Sequence, residues 1–164
     1  MKISDILKSR DITVSCELFP PKAGGVLKDA RAVVRDIAAL RPSFMSVTYG
    51  AGGVGAHNTV DIANEIQNVN DITALAHFTC VGSSRKDVQR TLKELADTGI
   101  RNILALRGDL PPDMTSTVHN GDFRYASDLV EEIHRTGDFC VGGACCPKAI
   151  RNPKLCKRIS THLK

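Results

Sequence analysis

Apolar residues in this chain follow two alternating periods. Short apolar runs rich in β-branched and aromatic residues, at 12–19, 44–49, 73–79, 102–106 and 139–144, predict five strands. Between them lie segments with apolar residues three and four apart. The first, 26–40, carries Leu27, Ala30, Val34, Ile37 and Leu40. Further helices are expected at 58–67, 84–95 and 125–135. Ser84 and Asp87 form a capping signature at the start of the third helix, and Gly99 and Gly137 are expected to close the third and fourth. Pro20-Pro21 stops the first strand's ladder, and the loop Gly50-Ala51-Gly52-Gly53 lets backbone approach a ligand closely.

Strands alternating with helices at intervals of about 30 residues predict an α/β fold with a parallel sheet and right-handed crossovers. A doubly wound sheet could close with five strands, whereas a (β/α)8 barrel needs eight. The strand ends favour the barrel. Glu17, Thr48-Tyr49, His77, Arg107-Gly108-Asp109 and Ala144-Cys145 fall at the C-terminal ends of successive strands, a ring of groups to which every strand contributes. A doubly wound sheet would gather its ligand residues at one switch point behind a glycine-rich turn, and Phe19-Pro20-Pro21 is no such turn. The expected fold is therefore the TIM-barrel family, with the first five βα units present in residues 1–147.

Composition narrows the function classes. The chain has 164 residues and no apolar run long enough to cross a bilayer, and its charged start lacks a signal-peptide core. A cytoplasmic protein without membrane attachment is expected. The net charge of +4 comes from the tail: six basic residues and no acids fall within 148–164, leaving 16 bases and 18 acids, a net of −2, in residues 1–147. No aromatic residues interleave with those tail charges, so no nucleic-acid partner is expected. Cys16, Cys80 and Cys140 lie in strand-like segments without metal-ligand spacing; they are expected to be buried reduced thiols, with no metal site.

Several strand-end residues have plain structural readings. Glu17 reads first as a strand-end carboxylate paired with a base, Asp109 as a turn residue before Pro111-Pro112, His77 as a satisfied strand histidine and Tyr125 as a helix-start core residue. The order and spacing of five motifs add to this. Cys16-Glu17-Leu18-Phe19-Pro20-Pro21-Lys22, Ser46-Val47-Thr48-Tyr49-Gly50-Ala51, Ala76-His77-Phe78-Thr79-Cys80, Ala105-Leu106-Arg107-Gly108-Asp109-Leu110-Pro111-Pro112 and Tyr125-Ala126-Ser127-Asp128-Leu129 together resemble the methylenetetrahydrofolate reductase family of the short bacterial type.

That resemblance implies a (β/α)8 barrel with non-covalent FAD. It would take hydride from NADH or NADPH and reduce 5,10-methylenetetrahydrofolate to 5-methyltetrahydrofolate, in the one-carbon metabolism that feeds methionine synthesis. By the same resemblance Glu17 is the general acid, and its apolar neighbours Leu18 and Phe19 suit a carboxyl that keeps its proton for delivery. Asp109 stands beside flavin and folate, stabilising the substrate cation and tuning the flavin; Glu17 and Asp109 thus also bind substrate. Thr48, Tyr49, Ala51, His77, Arg107, Gly108, Asp109, Tyr125, Ala126 and Ala144 match FAD contacts. The folate is the partner expected, and a homo-oligomer is left open for the full-length protein.

The pattern departs after Ala144-Cys145. The family continues Tyr-Pro-Glu-Gly-His-Pro-Glu, where this chain reads Cys146-Pro147-Lys148-Ala149-Ile150-Arg151-Asn152-Pro153. Permitted codons for 148–153, read one nucleotide earlier, spell Glu-Gly-His-Pro-Glu-Ser. The expectation is a reading-frame slip near codon 146 that created the basic tail. Five of eight strands would leave the barrel open, with weak or absent reductase activity. The alternative is a non-catalytic fragment that binds no flavin.

Overall fold

Five strands pair in the order in which the chain makes them, every neighbour parallel. They are β1 (Ser15–Leu18), β2 (Phe44–Val47), β3 (Ala74–Thr79), β4 (Asn102–Leu106) and β5 (Cys140–Gly143). The computed structural model describes residues 1–20, 27–49, 56–109 and 121–144. The strands alternate with α2 (Leu27–Ala38), α3 (Ala56–Asn64), α4 (Arg85–Asp97) and α5 (Ala126–Thr136), with α1 (Ile3–Ser9) ahead of β1. Sequential order with no reversal is the order of a barrel wall; a doubly wound sheet reverses at a switch point. The architecture is α/β, a parallel sheet with alternating helices, as expected of five TIM-barrel units.

Side chains alternate across the sheet with period two. One set, including Leu18, Met45, Val47, Ala76, Phe78, Ile103 and Ala105, is buried beneath the helices. Each such large side chain contributes about 1.5–3 kcal/mol through burial. Val34 of α2, Ile62 of α3, Leu92 and Leu95 of α4, and Leu129 and Ile133 of α5 complete that core. The other set, including Glu17, Ser46, Leu75, His77 and Leu104, lines the opposite face, where Glu17 is exposed and Leu75 and Leu104 are half-buried.

Several boundaries differ from the pattern-based reading. β1 begins at Ser15, not 12, and Ile12, Val14 and Phe19 are exposed. These apolar residues flank a margin of the described sheet, so they have no neighbour to bury them. The helix at 58–67 begins at Ala56 and passes into a π-helical turn, Glu65–Val69, which seats Ile66 in the core. The α4 cap is as expected: Ser84 Oγ accepts from the Asp87 backbone N–H at 3.2 Å. Gly99 adopts φ +77°, the left-handed closure. Gly137 closes its helix as expected, as the C-cap of α5 with its N–H donating to Ile133 O at 3.2 Å, but through extended backbone (φ 178°) rather than a left-handed turn.

Periodicity missed α1, which has only seven residues. Ile3 and Ile6 are buried, and Asn102 ties the helix to the start of β3 and β4. The Asn102 amide accepts from Ile3 N at 2.8 Å and donates to Met1 O and Ala74 O, each at 3.1 Å. A second buried polar group joins α4 to α5. The Glu132 carboxylate pairs with Arg85 and accepts from Gln89 Nε2 at 2.7 Å, with Arg135 at 3.8 Å. Among the described residues no helix is long and apolar enough to cross a membrane.

Candidate active site at the strand ends

The open face brings Glu17 and His77 together across β2. Parallel register sets Glu17 beside Ser46, and the next strand carries His77 further toward its C-terminal end. His77 Nε2 lies 3.3 Å from Glu17 Oε2, and Ser46 Oγ donates to the same oxygen at 3.4 Å. The Glu17 side chain is 48% exposed, whereas that of His77 is 9% exposed. Burial lowers the His77 pKa from its usual 6.5, and the Glu17 carboxylate pulls it upward by less. The imidazole is therefore neutral near pH 7.

The apolar shelter expected for Glu17 is absent from its immediate flanks. Leu18 points to the helix side of the sheet and Phe19 is exposed. The plain reading of Glu17 as a carboxylate paired with a base is correct in its contact, since the base is His77. That contact also leaves Glu17 accessible from the open face. Ser46 lies within one of the matched motifs, but the resemblance assigns it no site role. The signal was available: Ser46 is the one polar residue in the run Phe44-Met45-Ser46-Val47.

The loop after β4 is shaped by Gly108. Its φ is +85°, and a Cβ there would meet Val81 Cγ1 at 2.9 Å and Thr79 Cβ at 3.0 Å. Conformation and close approach both require glycine. Arg107 and Asp109, on either side, are exposed. The Arg107 carbonyl accepts from Cys80 N at 3.2 Å and Val81 N at 2.8 Å, which fixes this loop to the end of β3. Cys80 Sγ lies 3.9 Å from Arg107 O and 3.7 Å from Tyr125 O, and burial pushes its thiol pKa up to about 11. Cys80 is thus a buried free thiol as expected, whereas Cys16 and Cys140 are free but only half-buried.

Tyr125 caps α5, and Ala126 is its first residue. Asp128 Oδ2 accepts from the backbone N–H of both Arg124 and Tyr125 at 2.9 Å. Tyr125 is 42% exposed, with the Arg124 guanidinium 5.4 Å from its ring centre, so the core reading of Tyr125 fails. Thr48 continues the β1–β2 ladder, its N–H donating to Leu18 O at 2.9 Å. Tyr49 departs from the ring of strand-end groups. Its side chain packs on Phe78 of the helix-side core, ring centres 5.3 Å apart, because the alternation turns it away from the open face. Ala144 is exposed after β5. Ala51 and its glycine loop, Pro21-Lys22, Pro111-Pro112 and residues 145–164, with the basic tail and its frame-slip reading, lie outside the described residues.

Whether these residues suit a flavin can be judged from one unsatisfied group. Ser127 Oγ, in the first turn of α5, is buried with no hydrogen-bond partner among the described residues. A shielded hydroxyl beside a helix start, with the exposed Arg107 cation on the neighbouring loop, fits a ligand carrying phosphate and hydroxyl groups.

A family model described as methylenetetrahydrofolate reductase matches residues 2–164. Among curated relatives, methylenetetrahydrofolate reductase 1 of Schizosaccharomyces pombe is 42% identical over 90% of this chain and 26% of its own length. The 5,10-methylenetetrahydrofolate reductases of Pectobacterium carotovorum and Escherichia coli are 33% and 31% identical, each over 93% of this chain and 50% of their own length. The chain thus spans half the length of those bacterial relatives and about a quarter of the yeast one. Among solved structures, a mandelate racemase/muconate lactonizing protein from Paracoccus denitrificans superposes with a TM-score of 0.55 at 13% identity, over 91% of this chain and 38% of that chain; that likeness concerns the fold.

Proposed function

Because this chain belongs to the methylenetetrahydrofolate reductase family, we propose that its open sheet face forms part of a site that reduces 5,10-methylenetetrahydrofolate to 5-methyltetrahydrofolate. The observation that carries the reading is the accessible Glu17 carboxyl, contacted by Ser46 and His77. When bound, FAD supplies the hydride, after receiving it from NADH or NADPH. The chain's own residues supply the rest. Arg107, Gly108, Tyr125, Ala126, Thr48 and Ala144, together with Ser127, would hold the cofactor, with His77 beside the acid. Tyr49 contributes through its backbone, since its ring is committed to Phe78.

The substrate's five-membered ring must open to an iminium cation before it can accept hydride. Glu17 donates a proton to the departing ring nitrogen, and that nitrogen keeps the electron pair of the breaking C–N bond. Asp109, exposed on the rim, stabilises the positive charge left on the opened substrate. Both carboxylates contact the folate. The reaction belongs to cytoplasmic one-carbon metabolism.

The test is to purify the protein, add FAD and measure flavin absorbance and folate reduction. Flavin retention by the wild type is expected, with Glu17→Gln retaining flavin and losing about 10²–10⁴-fold in turnover where the wild type turns over. A well-folded chain that takes up no flavin overturns the reading. So does a Glu17→Gln variant with unchanged turnover.

A further inference from the structure

The end of β2 carries a carbonyl that pairing with β1 cannot satisfy. In a parallel pair, each bonded residue of one strand donates its N–H to one residue of the neighbour and accepts at its C=O from the residue two further on. Thr48 N donates to Leu18 O at 2.9 Å, so the donor due to the Thr48 carbonyl is the N–H of position 20. That position is Pro20, which has no N–H. The donor comes from α3 instead: Thr59 Oγ1 donates to Thr48 O at 3.1 Å. Thr59 is buried, and its helix is seated in the core by Val60, Ile62 and Ala63. The two sides of the Thr48 backbone are thus held by different elements, the N–H by β1 and the C=O by α3.

We propose that Thr59 is a positioning residue, whose hydroxyl replaces the N–H missing at Pro20 and so fixes Thr48 on the rim for the cofactor. The inference rests on the flavin-binding part of the proposed function and deepens it, adding a buried residue that acts through Thr48. Thr48 stands two residues beyond Ser46, whose hydroxyl reaches Glu17, and the period of two sets both on the open face. Tyr49, next along, is turned to the opposite face, where it packs on Phe78. A swing of the Thr48 peptide would carry the Thr48 side chain away from the rim. Pro20 ends the pairing of β1 with β2 just past Glu17, and Thr59 lets it end there without leaving a half-buried carbonyl bare. β1 is released beyond Leu18, where Phe19 is exposed, while the end of β2 stays tied to α3.

The test substitutes Thr59 and reads the chain with and without flavin. Thr59→Val keeps the shape and removes the donor, whereas Thr59→Ser keeps the donor. In ¹³C-labelled protein without flavin, the Thr48 carbonyl resonance is expected to move upfield in Thr59→Val, as a carbonyl losing a hydrogen bond does. In Thr59→Ser it is expected to stay near the wild-type position. The dissociation constant for FAD, read from quenching of its fluorescence, is expected to rise about five-fold in Thr59→Val and to stay within about two-fold of wild type in Thr59→Ser. Thr59→Ala takes the place of the valine variant if that variant does not fold. A Thr48 resonance indifferent to loss of the hydroxyl overturns the proposal, as does a serine variant that binds FAD as weakly as the valine one. If the Thr48 resonance responds but the wild type takes up no FAD, the flavin-binding reading fails alone. If the wild type binds FAD and Thr59→Val binds it equally well, the positioning inference fails alone.

Discussion

On the helix side of the sheet, Met45, Val47, Ala76, Phe78, Ile103 and Ala105 are sealed from solvent, whereas one residue along the same strands Glu17, Leu75 and Leu104 remain partly open. The same backbone thus serves two different surfaces. The helix side is continuous hydrocarbon and carries the stability. The open side mixes Leu75 and Leu104 with the polar side chains of Glu17, Ser46 and His77. In a fully parallel sheet both faces usually read as apolar. Polar residues on alternate positions of β1, β2 and β3 therefore mark where the sheet serves something other than its own core.

The sharpest way to break this contrast is to cut into each face. Phe78→Ala on the helix side is expected to cost about 3–5 kcal/mol, read as a fall in the urea midpoint. A loss below about 1 kcal/mol would mean that the helix side does not carry the stability. Gly108→Ala, at the rim, is expected to cost about 2 kcal/mol, since it forces a side chain into the left-handed region and against Val81 and Thr79. Thermal unfolding measures it, and flavin retention should fall with it. Asn102→Ala is expected to cost about 1–2 kcal/mol and to speed amide exchange at Ile3 and Ile6, whose helix the Asn102 side chain fastens.

The smallest expected effect comes from pH. The folded His77 has a pKa below 6.5, so between that lower value and about 6.5 the unfolded chain binds more protons than the folded one. Stability then falls as pH drops below about 6.5, with a slope of at most about 1.4 kcal/mol per pH unit from this one group. His77→Gln should flatten the slope over that window; urea titrations at several pH values would show it. An unchanged slope would mean that burial of the imidazole costs nothing on protonation.

Much of the frame was legible because its signals are local. Five strands, the Ser84 cap of α4 and the Gly99 closure follow from neighbouring residues and backbone chemistry. What the sequence hid depends on register. Glu17 and His77 are 60 positions apart, and only parallel pairing through β2 brings them within 3.3 Å. Tyr49 looked like a rim residue by motif, yet the packing against Phe78 turns its ring inward. α1 escaped because two isoleucines in seven residues make no periodic pattern; its stability comes from Asn102, a tertiary contact.

The Glu132 knot gives the rim a mechanical property. It fastens Arg85 at the start of α4 to the middle of α5, while Asp122 reaches back, accepting from Arg85 N at 2.7 Å and donating its own N–H to Ser83 O at 3.1 Å. The turn leaving β3 and the turn entering α5 are therefore geared to one another. A substitution that removes the Glu132 carboxylate or the Asp122 side chain is expected to loosen both turns together, rather than one alone.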